Sequence, residues 1–76
     1  MATEEYVLIE DFGILSSEED GSTLKLVMAR WPNYKGKAKE PRYEIRKFNH
    51  SGKHGKGIRL SKEELENLKI ILDEIL

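Results

Sequence analysis

The 76 residues allow one domain (1–76), and at this size folding buries only about 60% of the surface that the unfolded chain exposes. With no cysteine, disulfides and thiolate metal sites are excluded, and no apolar run reaches the roughly 20 residues of a membrane span, so self-association is the remaining reinforcement. The net charge of −1 is segregated: residues 1–24 carry seven acids and no base, residues 25–62 carry twelve Lys and Arg against Glu40 and Glu44, and residues 63–76 are acidic again, so a polyanion would meet the middle block.

The acidic start, MATEEYVLIEDF, lacks the basic region of an export signal and predicts a cytoplasmic protein. Tyr6 to Ile9 is aromatic and β-branched, a strand that Glu10 to Gly13 interrupts and Ile14-Leu15 resumes. A bent first strand or a tight hairpin fits that pattern. The polar cluster Ser16 to Gly21 is a turn, and Thr23 to Trp31 alternates as a strand. Leu24, Leu26 and Met28 share one of its faces; Lys25, Val27, Ala29 and Trp31 share the other. Pro32 to Pro41 is a loop rich in lysine (Lys35, Lys37, Lys39). Arg42 to Phe48 is the next strand, with Tyr43 and Ile45 on one face and Arg42, Glu44, Arg46 and Phe48 on the other. Asn49 to Gly55 reads as a glycine- and lysine-rich loop, and Gly57 to Leu60 as a short strand with Arg59 facing away from Ile58 and Leu60.

Ser61-Lys62-Glu63-Glu64 is a capping box that opens a helix. Leu65, Leu68, Ile71, Leu72, Ile75 and Leu76 fall within roughly 140° of its wheel, and Ile70 lies off that stripe. One small sheet does not need so broad a stripe, so Leu65, Leu68, Ile71, Leu72 and Ile75 are candidates for packing against a second subunit. The expected fold class is α+β: a four-stranded antiparallel curved sheet followed by one C-terminal helix (ββββα), in a homodimer formed through helices and sheets.

A helix on one side leaves the other sheet face solvated, and the alternation places Lys25, Trp31, Arg46, Phe48 and Arg59 there. Aromatic rings among cations make a platform for unpaired bases: each stacked base is worth about 1–3 kcal/mol, whatever its identity. Duplex DNA would instead need an element shaped for the major groove, and the only predicted helix is acidic. On this reading Trp31→Ala or Phe48→Ala weakens binding with little effect on folding.

Catalytic chemistry finds no footing, so no enzyme is expected. His50 and His54 stand four apart in a loop without an obvious third ligand, and no metal or other cofactor is expected. Gly52-Lys53-His54-Gly55-Lys56-Gly57 has the composition of a phosphate loop but lacks the Lys-Ser/Thr ending and following helix of a P-loop. It reads as a flexible cationic loop on backbone phosphates or, equally, as a glycine-rich turn.

Pro41-Arg42-Tyr43-Glu44-Ile45-Arg46-Lys47-Phe48 and Gly55-Lys56-Gly57-Ile58-Arg59-Leu60-Ser61, with Phe12-Gly13-Ile14-Leu15-Ser16 and the strand ending at Trp31, resemble motifs of a known family. It is the positive cofactor four family of transcriptional coactivators, in its bacterial YdbC-like branch, and the resemblance runs from Tyr6 to the end of the helix. It implies a ββββα homodimer that binds single-stranded DNA with little sequence preference, in transcription regulation, replication or repair. It also implies transcription or repair proteins as further partners and, for a bacterial chain, a nucleoid-associated location. By that likeness Trp31 and Phe48 stack bases, Arg46 meets phosphate or base, and Lys56 is the basic residue before the last strand. Phe48 stands where the bacterial branch tends to carry Trp, a smaller platform. Lys25, Arg30, Arg42, Arg46, Lys53, Lys56 and Arg59 complete the expected cationic walls. Two other readings remain open: RNA on the same surface, and a protein-interaction module using the Ile70 side of the helix.

Overall fold

Pairing follows chain order. In the computed structural model, which describes residues 6–32 and 40–76, strands β1 (Val7–Ser17), β2 (Thr23–Arg30), β3 (Arg42–Phe48) and β4 (His54–Leu60) form an open antiparallel sheet in the order β1-β2-β3-β4, and helix α1 (Lys62–Ile75) follows. The expected ββββα order is what the chain adopts. Lys35, Lys37 and Lys39 of the lysine-rich loop lie outside the described residues.

β1 is bent and continuous, and its pairing with β2 slips between Leu8 and Glu10, between Asp11 and Gly13, and between Ile14 and Ser16. At each slip one extra residue (Ile9, Phe12, Leu15) is inserted, and a bulge of this kind bends the strand and raises its twist. The bulges recur every three residues, so simple alternation fails along this strand. β2 and β3 pair without a break from Thr23 opposite Phe48 to Ala29 opposite Arg42. β4 begins three residues earlier than expected, because His54 pairs with Phe48 across an irregularity in the ladder.

The two turns at one end of the sheet meet. Gly21 sits at φ +89°, where a side chain is strained, and a Cβ there would come within 2.9 Å of His50 Cβ. In the opposing turn the Asn49 Oδ1 accepts from the backbone N–H groups of Ser51 and Lys53. Helix α1 starts as expected: the Glu64 N–H donates to Ser61 Oγ, and the Ser61 N–H donates to Glu64 Oε1.

The helix side of the sheet, here the back face, carries Leu24, Leu26, Met28, Tyr43, Ile45, Ile58 and Leu60 by register. None of the residues of α1 is buried. Between helix and sheet runs an apolar groove of about 460 Å³ lined by Leu15, Leu26, Ile45, Leu65, Leu68 and Leu72. The fully excluded apolar residues lie instead on the opposite, front face: Val27 and Ala29 have no exposed surface and Phe48 is 7% exposed. Tyr6 packs against them.

Candidate nucleic-acid interface

Register and side-chain contacts put Lys25, Trp31, Arg42, Arg46, Phe48 and Arg59 on the front face, the grouping that alternation predicts. That face is not the solvated platform expected from the sequence. Arg46 and Phe48 are buried, and Glu44, next to Arg46 on the same face, has no exposed surface. Tyr6 packs over Val27, Ala29 and Phe48, and Trp31 meets the Tyr6 ring edge-on while donating to Glu44.

Glu44 organises the centre. Its Oε1 accepts from Arg46 Nε at 2.6 Å and its Oε2 from the Trp31 indole Nε1 at 3.0 Å, with Arg59 Nε also 3.0 Å from Oε2. A buried carboxylate persists only when paired, and here two guanidinium groups and an indole N–H supply the pairing. Arg46 is further fixed by donating from Nη1 to the Gly55 carbonyl at 2.7 Å. Gly57, opposite Arg46, lets β4 approach this closely, since a Cβ there would stand 2.7 Å from the Ile45 carbonyl oxygen.

Above Arg46 sits an aromatic cluster. Its guanidinium carbon lies 5.4 Å from the Trp31 ring centre and 5.8 Å from that of Tyr6, within cation–π range. Tyr6 stacks on His54 at 4.4 Å and 27°, and meets the edge of Trp31 at 4.8 Å and 63°. Burial, with the Glu44 charge second, pushes the Tyr6 hydroxyl up to about 12. His54, expected in a solvated loop, is half-buried in β4. Among the described residues no group of three or more His, Cys, Asp or Glu is placed to hold a metal ion.

Towards the other end of the face is a hollow of about 280 Å³ lined by Leu8, Ile14, Lys25, Phe48, Asn49 and His50. Lys25 Nζ lies 5.5 Å from the Phe48 ring centre and 2.8 Å from Asp11 Oδ2. That hydrogen bond holds the Asp11 carboxyl below its ordinary range.

The remaining predicted cations are placed elsewhere. Arg30, opposite Val7, shares the parity of the back-face residues of β2. Lys53 and Lys56 line a separate hollow with Lys47 and Asp20 at the turn end of the sheet. Of the predicted dimer residues, Leu65, Leu68 and Leu72 border the apolar groove, Ile71 lies near Ile45 and Ile58, and Ile75 is 68% exposed. Sequence reasoning missed the part that Tyr6, Glu44 and His54 play in building this face. Glu44 had a usable signal, an acid sharing parity with Arg42 and Arg46; Tyr6 lies ahead of the first ladder pair, and His54 sits beyond an irregularity that hides its parity.

No helix among the described residues is long and apolar enough to cross a membrane. No family model, curated protein or solved structure matches the chain.

Proposed function

We propose that the protein binds single-stranded DNA with little sequence preference on its front face and works as a homodimer joined through its back faces. The observation that carries this reading is the front face itself, where the rings of Trp31, Tyr6 and His54, above a core that includes Phe48, interleave with Lys25, Arg42, Arg46 and Arg59 on one sheet. Rings stack unpaired bases irrespective of sequence, and peripheral cations follow the phosphates. The buried Glu44 assigns different tasks to the cations: Arg46 is a positioning residue for the rings, while the exposed Arg42 and half-buried Lys25 remain at the rim for phosphate. Transcription regulation, replication or repair are the processes in which such a binder serves.

The test is titration of Trp31 fluorescence with oligo-dT of about 20 nucleotides at low and moderate salt. Saturable quenching that weakens with salt is expected, with a log–log slope of about −3 if some four phosphates are neutralised. Absence of any response from folded protein overturns the reading. A matched RNA oligomer in the same titration separates the two polymers. A second reading, a protein-interaction module, is favoured by Ile70, which is 56% exposed and stands off the apolar stripe of α1; it predicts no salt-sensitive nucleic-acid binding.

A further inference from the structure

A ring already occupies the stacking platform. Tyr6 stacks on His54 at 4.4 Å with the ring planes 27° apart, meets Trp31 edge-on at 4.8 Å, and has Arg46 within 5.8 Å of its centre. Those are the neighbours that a stacked base would take on this face. It also packs on the core of Val27, Ala29 and Phe48. Tyr6 stands ahead of the first ladder pair, Val7 opposite Arg30, so side-chain contacts rather than strand pairing hold the ring in place.

The Tyr6 hydroxyl is buried beside Glu44 and Arg46. The ring is thus seated by stacking and by these polar neighbours, with no strand pairing of its own, so it can leave without opening the ladder.

We propose that Tyr6 is an intramolecular stand-in for a nucleobase: it closes the platform in the free protein, and a single strand binds by displacing it. This rests on the front face being the single-strand site. The strand then competes with the protein's own ring, and apparent affinity falls by the fraction of molecules in which the platform is open. Substitutions at Tyr6 act on that fraction according to whether they keep the ring. Tyr6→Ala removes the plug. Tyr6→Phe keeps the ring, so the platform stays closed.

The experiment measures binding of labelled oligo-dT by anisotropy for the wild type, Tyr6→Ala and Tyr6→Phe at one salt concentration. Tyr6→Ala is expected to bind roughly tenfold more tightly, and Tyr6→Phe to stay within a few-fold of the wild type. In parallel, the wild-type protein is nitrated with tetranitromethane with and without saturating oligo-dT, and modification of Tyr6 is read by peptide mass spectrometry. Displacement predicts faster nitration of Tyr6 in the complex. Weaker binding by folded Tyr6→Ala, or protection of Tyr6 by oligo-dT, overturns the proposal and makes Tyr6 a stacking partner instead. Should Tyr6→Ala fail to fold, the wild-type nitration decides alone. Equal binding by all three proteins removes the plug but leaves the single-strand reading intact, whereas no binding by any folded variant removes both.

Discussion

At the scale of single residues the front face is governed by Glu44 more than by any cation. Removing its charge while keeping its shape leaves Arg46 and Arg59 facing one another without a counter-ion. Breaking a buried pair in this way costs about 3–5 kcal/mol, so Glu44→Gln is expected to lower the urea midpoint strongly, and a change under about 1 kcal/mol would refute the network's importance. Phe48→Ala, expected from alternation alone to spare the fold, is now expected to cost about 3–5 kcal/mol because Phe48 is only 7% exposed within the core cluster. The same denaturation experiment reads both. Tyr6 adds a pH dependence: its ionisation is pushed up to about 12 from an ordinary value of 10.0 by burial, with the neighbouring Glu44 adding to the rise and Arg46 opposing it. The folded state therefore prefers neutral Tyr6. Its contribution to stability is complete below about pH 10 and is lost as pH rises through about 12. A spectrophotometric titration should show one late-ionising tyrosine that disappears in Tyr6→Phe; a titration unchanged by that substitution contradicts the packing described for the ring.

At the scale of elements, the chain divides into parts governed by local chemistry and parts governed by distant contacts. The capping box is local, and α1 begins where Ser61 and Glu64 say it should. Ser61→Ala is expected to cost about 1 kcal/mol, seen as a lowered thermal midpoint with unchanged sheet signal; no shift would mean that packing rather than capping fixes the helix start. Strands β2 and β3 were legible for a similar reason, since an unbroken ladder lets period-two alternation report the face of every residue. β1 was not, because Ile9, Phe12 and Leu15 each add a residue that alternation does not count. Which face was covered was equally hidden. Parity groups Lys25, Trp31, Arg46, Phe48 and Arg59, but it does not reveal that the Tyr6 ring turns back over Val27 and Ala29 with Trp31 at its edge. That closure depends on pairing Trp31 with Glu44, thirteen residues away, and Tyr6 with His54, at the start of the chain's last strand.

At the scale of the whole molecule the back face is left incomplete by a single copy. Ile58, Ile71 and Ile75 are each more than half exposed, Leu72 is 38% exposed, and Leu15 of β1 is 57% exposed beside the same groove. Monomers rarely leave so continuous an apolar patch to water, and a domain this small gains most from covering it. In the proposed dimer a second copy supplies the same groove and the same helix stripe, so that two back faces would make a self-complementary contact with two-fold symmetry. Ile71→Glu places a charge where Ile45 and Ile58 meet the helix, and a desolvated unpaired charge is not tolerated at such a contact. Sedimentation equilibrium should give a dimer for the wild type and a monomer, or a much weakened dimer, for Ile71→Glu, with stability becoming independent of protein concentration. The front face is untouched by that substitution. If Ile71→Glu remains folded, each copy should still quench Trp31 fluorescence with a short oligo-dT, while the gain in affinity from a longer strand that reaches both copies should disappear. A wild-type protein that sediments as a monomer at high concentration would sink the dimer and assign the exposed stripe of α1 to a different protein.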